Sequence, residues 1–159
     1  MIEDIVINRI SDKFYQINVK ENESFTNLKI KLNDCYIPFG LEEYNNKYIV
    51  NFEVDNNEEF VKLVKLIEKK LNELLETNEV FELKSVFHKK SKYNLLCKSH
   101  IKKNDNLFIS KYLLNNKETS IFDLKKQSKY NVDVEISGIW IYKKTYGLYI
   151  NIIKISNYI

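Results

Sequence analysis

The segment Tyr130-Asn-Val-Asp-Val-Glu-Ile-Ser-Gly-Ile-Trp-Ile-Tyr142 decides the fold class. Tyr130, Val132, Val134, Ile136, Gly138, Trp140 and Tyr142 fall on one side of an extended chain. Asn131, Asp133, Glu135 and Ser137 begin the other side. Side chains of a strand alternate between faces, so this pattern predicts a half-buried strand of an antiparallel sheet. Trp140 continues the apolar face and is read as core, with a stacking platform as the alternative. Lys143-Lys-Thr-Tyr-Gly147 supplies a turn, and Leu148, Ile150 and Ile152 carry the alternation back.

Upstream of this hairpin, strands are expected at about 80–87, 94–102 and 106–114. A Lys-rich turn at His88–Lys92 and Asn104-Asp-Asn106 separate them, and Ser120–Lys126 suits a short helix. In the first half, Tyr15, Ile17 and Val19 alternate with polar residues, as do Leu28, Ile30 and Leu32. Cys35-Tyr-Ile-Pro38-Phe-Gly40 breaks the pattern. Asn45-Asn46 reads as a hairpin turn before a strand with Tyr48, Val50, Phe52 and Val54 on one face. Residues 57–76 are the single long helix. Phe60, Leu63, Val64, Ile67, Leu71, Leu74 and Leu75 recur at steps of three and four, and Asp55 with Glu58 has capping-box spacing. The fold class is therefore α+β, mostly antiparallel β: a curled sheet or partly open barrel with one amphipathic helix. The 159 residues suit a single domain, 1–159.

Charge is unevenly placed. Residues 1–78 carry a net −5 and residues 79–159 a net +8. A basic excess attracts polyanions. Ala is absent and Arg occurs once, while Ile, Lys and Asn abound, a bias that fits an AT-rich genome. The N-terminus Met1-Ile-Glu-Asp has acids where a signal peptide needs bases, and no apolar run approaches a membrane span. Two cysteines, Cys35 and Cys97, are no disulfide framework. A protein with no membrane association, in an intracellular setting, is expected.

No catalytic constellation emerges, so an enzyme is not expected. Gly40, Gly138 and Gly147 stand alone and form no phosphate-cradling loop. Cys97-Lys-Ser-His100 has a metal-like spacing, but the two side chains would diverge on a strand, so no metal site and no cofactor are expected.

The second half interleaves lysines with aromatic rings. The residues are Lys89, Lys90, Lys92 and Tyr93; Lys98, His100, Lys102 and Lys103; Lys111 and Tyr112 after Phe108; and Tyr142, Lys143, Lys144, Tyr146 and Tyr149. Single-stranded nucleic acid needs ammonium groups along its phosphates and flat rings under its unpaired bases. Base-edge reading of duplexes favours Arg, of which the chain has one. These fifteen residues are the candidate nucleic-acid-binding set.

Ser137-Gly138-Ile139-Trp140 with Tyr146-Gly147-Leu148-Tyr149 resembles the closing hairpin of OB-fold-like single-stranded-DNA-binding proteins of large DNA viruses and phages. Pro38-Phe39-Gly40-Leu41 with Tyr44, the strand Tyr48–Val54 and the helix are similar to a family of nucleocytoplasmic large DNA viruses. The resemblance implies an OB-like fold and a viral replication or recombination protein that coats single strands, in the host cytoplasm or nucleus. DNA is then preferred to RNA as partner. The phage proteins end in an acidic tail that recruits partners; this sequence ends Ile155-Ser-Asn-Tyr-Ile159. The acidic half is left as the surface for replication partners or for a homo-oligomer. A non-catalytic structural or transcription-complex subunit, or an RNA-binding protein, is the alternative.

Overall fold

The computed structural model describes residues 5–11, 14–21, 24–75 and 82–157. Residue 76 of the expected helix and residues 80 and 81 of the expected strand lie outside that description. So do the side chains of Tyr15, Val19, Leu74 and Leu75.

The first five strands are β1 (Ile5–Ser11), β2 (Phe14–Glu21), β3 (Ser24–Ile37), β4 (Glu42–Tyr44) and β5 (Lys47–Glu53). Helix α1 (Glu58–Leu75) follows. Next come β6 (Glu82–Leu83), β7 (Phe87–His88), β8 (Leu96–Ile101), β9 (Lys103–Asn104), β10 (Leu107–Phe108), β11 (Lys111–Leu114) and β12 (Lys117–Thr119). A 3-10 turn, Ile121–Asp123, precedes β13 (Ser128–Tyr142) and β14 (Thr145–Asn157). The main path through the sheet is β1-β2-β3-β13-β14-β8-β5-β4. Among the described residues β1 and β4 are not paired with each other, so the sheet stays open. Along this path β13, β14 and β8 of the second half stand between β1, β2 and β3 on one side and β5 and β4 on the other, all five from the first half. The −5 and +8 halves are therefore interleaved within one sheet.

The hairpin β13–β14 is its spine, paired from Tyr130↔Asn157 to Tyr142↔Thr145. Two bulges interrupt the pairing, at Asp133/Val134 and at Ile136/Gly138. Each inserts one residue, and one extra residue reverses which parity faces the core. On β13 the buried apolar side chains are Tyr130, Val132, Val134 and Ile136 before the second bulge, and Ile139 after it. On β14 they are Tyr146, Leu148, Ile150 and Ile152, then Ile155. The uninterrupted face expected from Tyr130 to Tyr142 is thus corrected at Ser137. Trp140 is half-buried and Tyr142 is 63 % exposed.

The free edge of β14 departs from an antiparallel plan. β6, β8 and β11 all pair with it in parallel, at Thr145–Tyr146, Asn151–Ile152 and Lys154–Ser156 respectively. The chain from 82 to 114 therefore climbs β14 in β14's own direction. It leaves the edge twice, for the stretch between β6 and β8 and for the excursion that carries β9 and β10. The opposite edge of β8 pairs antiparallel with β5.

Helix α1 begins at Glu58. The Val61 N–H donates to the Asn57 carbonyl, so Asn57, not Asp55, is the cap residue. The Asn57 amide also bonds both the N–H and the C=O of Asn33, tying the helix start to β3. Phe60, Val64, Ile67 and Leu71 are buried with Val50, Phe52, Cys97 and Tyr146 in one core, and Leu63 packs against it. Cys35 and Cys97 are free, buried thiols.

Candidate nucleic-acid interface

β8 leaves the core side of the sheet to Cys97, Ser99 and Ile101, all buried, and turns Lys98 and His100 to the other side. Cys97 and His100 diverge as the alternation predicts. Register places Ile49 of β5 and Asn151 of β14 beside His100, and Asn51 beside Lys98. Cross-strand partners share a face, so these side chains lie together on the side away from α1, where Ile49 and Asn51 are buried, His100 and Asn151 half-buried and Lys98 exposed.

At the end of β8 the chain is clamped. The Lys102 N–H donates to Ser110 Oγ at 2.7 Å, and the Ser110 hydroxyl donates to the Ile152 carbonyl. The N–H groups of Ile109 and Ser110 return to the Lys102 carbonyl. This closes residues 102–110 into a loop whose β9–β10 hairpin projects Lys103, Asp105 and Phe108. Against it lies the tip of the β4–β5 hairpin, where Asn45 and Asn46 both have positive φ, 50° and 62°. That is the geometry of a two-residue hairpin turn, and Asn tolerates it.

Between the two hairpins lies an open groove of about 410 Å³ lined by Asn46, Lys47, Tyr48, His100, Ile101, Lys102, Lys103, Asp105, Tyr149 and Asn151. Lys103 Nζ is 5.8 Å from the ring centroids of both Tyr48 and Phe108, within cation–π range. Tyr48, Phe108 and Phe122 pack edge to face, with centroids 5.4–5.6 Å apart. Phe122 is 58 % exposed. On the far wall Tyr149 meets the His100 ring edge to face at 6.2 Å. Burial, then the charges of Lys98 and Lys47, push His100 down to about 4. His100 is therefore a neutral ring at pH 7, not a cation. Lys102 is held by Glu135, Nζ to Oε1 3.0 Å. Among the described residues Lys47, Lys98 and Lys103 form no ion pair.

Of the sequence-predicted set, His100, Lys102, Lys103 and Tyr149 line the groove, and Lys98 adjoins it. Lys89, Lys90, Lys92 and Tyr93 sit in the earlier excursion. There Lys90 Nζ lies 4.6 Å from the Phe39 ring, and Phe39 meets Tyr93 edge to face at 5.2 Å. Tyr142, Lys143 and Lys144 are exposed at the β13–β14 turn, with Lys143 over the Tyr142 ring at 5.4 Å. That turn is four residues, roughly 13 Å, along β14 from Tyr149 and lines no part of the groove. Lys111 is exposed at the start of β11.

Two tyrosines of the set are corrected. Tyr112 is buried against Tyr130, and Tyr146 is fully buried with its hydroxyl bonded to Asn72. Neither can present a face to a base. Sequence reading missed Lys47, Tyr48, Asn151, Phe39 and Phe122. The first two follow the Asn45-Asn46 turn as a Lys–aromatic pair, a signal of the kind sought only in the basic half.

No protein-family model matches the chain, and no curated protein matches its sequence.

Proposed function

We propose that this protein binds single-stranded nucleic acid, DNA in preference to RNA, without base-sequence selectivity. The observation that carries the reading is the groove, where Lys47 and Lys103 flank the rings of Tyr48, Phe108 and Tyr149. Lysines supply attraction to any phosphate, and rings supply stacking to any base. Lys102 is anchored by Glu135, so its stem is positioned while its charge is partly spent. The likeness of Ser137–Trp140 and Tyr146–Tyr149 to OB-fold-like viral proteins, and a role in replication or recombination, belong to this reading.

Fluorescence anisotropy of labelled oligothymidylate, matched duplex and matched RNA over a salt series tests it. Single-stranded DNA should bind best, and log K should fall linearly with log salt. Replacing Lys47 and Lys103 together by Gln should make the slope shallower by about 1.4, from the single-strand coefficient of about 0.7 per phosphate contact. Tyr149→Leu should weaken binding about tenfold or more. Absence of binding to all three probes, or a slope indifferent to both lysines, overturns the reading and favours a structural subunit.

A further inference from the structure

The two excursions that the chain makes from β14 end in two separate Lys–aromatic clusters, and β8 runs between them. At one end are Lys103, Tyr48 and Phe108. At the other are Lys90, Lys92, Phe39 and Tyr93, with Lys92 Nζ 5.7 Å from the Tyr93 ring. The face of β8 that carries Lys98 and His100 joins them; Leu96, the third residue of that face, is buried at the Phe39–Tyr93 end. Lys98 is exposed midway and is paired in register with Asn51. Asn51 Oδ1 accepts a hydrogen bond from His88 Nε2 at 2.9 Å, and His88 opens the turn that carries Lys89 and Lys90. The charges of Lys90 and Lys98, after burial, lower the His88 pKa, so both ammonium groups stand near this ring.

Three carboxylates along this path are engaged. Glu42 accepts from Asn51 Nδ2 at 3.1 Å, Glu53 from the Asn94 N–H at 2.7 Å, and Glu135 pairs with Lys102. Asp105 and Glu43, the register partner of Tyr48, stand exposed at the groove end. From His100 to Leu96 the strand covers roughly 13 Å, and each cluster extends the path beyond that. A single nucleotide cannot bridge it.

We infer that one single strand lies along the outer face of β8, with its bases stacked at both the Tyr48–Phe108 end and the Phe39–Tyr93 end and its phosphates over Lys98 between them. The inference rests on the groove reading above and adds a second binding end, a direction and a minimum length. Occupying both ends with one chain makes the second contact intramolecular, so affinity rises with length until both ends are filled.

The test compares oligothymidylates of about 4 and about 12 nucleotides, at the low and upper parts of the usual site-size range. The longer probe should bind wild-type protein at least about tenfold more tightly, at one probe per chain. Tyr93→Leu with Lys90→Gln should remove most of that gain while the short probe binds as before. Lys98→Gln, an exposed change with little risk to folding, should weaken the long probe more than the short one. Equal affinity for both lengths, two long probes per chain, or a length gain untouched by these variants overturns the track and leaves the groove standing. Failure of wild-type protein to bind either probe overturns both.

Discussion

The Tyr146 hydroxyl donates to Asn72 Oδ1 at 2.8 Å, joining the start of β14 to the last turns of α1 across 74 positions of sequence. A tyrosine beside the Lys143-Lys144 turn is in this way part of the core. Tyr146→Phe should cost about 1 kcal/mol of stability, the net worth of one hydrogen bond. Tyr146→Leu should cost on the order of 2–4 kcal/mol, because it also empties ring volume in a packed interior. Oligonucleotide affinity, measured below the melting transition, should stay within about twofold of wild type for both. A fall in affinity without a fall in melting temperature would put Tyr146 back among the stacking rings.

Trp140 and Gly147 face each other across the same hairpin. A Cβ at Gly147 would stand 2.7 Å from Trp140 Cζ2 and 2.7 Å from the Lys84 carbonyl oxygen. The indole therefore covers the bare glycine backbone, a contact that protects a strand glycine. Gly147→Ala should cost about 1–3 kcal/mol through overpacking. In a Trp140→Ala background its further cost should be smaller, since only the Lys84 backbone remains in the way. Additive costs in thermal unfolding would show that the two residues do not share this contact.

The hairpin shows why part of the fold is legible in sequence and part is not. Alternation announces β13 and β14 because half their residues are apolar, but a bulge adds one residue without changing composition. In Glu135-Ile-Ser-Gly138 the only sign of the parity change at Ser137 is Gly138, since an isolated strand glycine often marks a bulge. Turn chemistry is equally selective. Asn45-Asn46 is read as a turn and is one, whereas the same dipeptide at Asn115-Asn116 takes φ of 52° and 65° and makes the β11–β12 hairpin unannounced. The site was half legible because its lysines cluster in sequence on β8 and β9. Its other wall comes from β5, and only the long-range pairing of β5 with β8 brings Lys47 and Tyr48 there.

Two titratable side chains, Glu68 buried and His100 half-buried, give stability opposite dependences on pH. Glu68 is buried in the α1 interface, with Oε1 bonded to the Ser85 hydroxyl and no partner for Oε2 among the described residues. Burial raises its pKa above 4.5, against the opposing pull of Ser85, the Val86 backbone and Lys65. A carboxyl with a raised folded pKa favours the fold most below about 4.5, and that contribution is lost as pH climbs through the folded value. His100 works the other way. Its folded pKa of about 4 lies below the ordinary 6.5, so its contribution is full above pH 6.5 and is lost as pH falls toward 4. His88, also lowered, adds to the same limb. Denaturant titrations between pH 4 and 8 should therefore show Glu68→Gln gaining on wild type as pH rises, with the difference closing near pH 4. His100→Gln should flatten the decline between pH 6.5 and 4. Phosphates bound at Lys47 and Lys98 would relieve the repulsion on the imidazole, so oligothymidylate should move the His100 NMR titration upward. A midpoint that does not move when the groove is saturated would separate the nucleic acid from this wall of the groove.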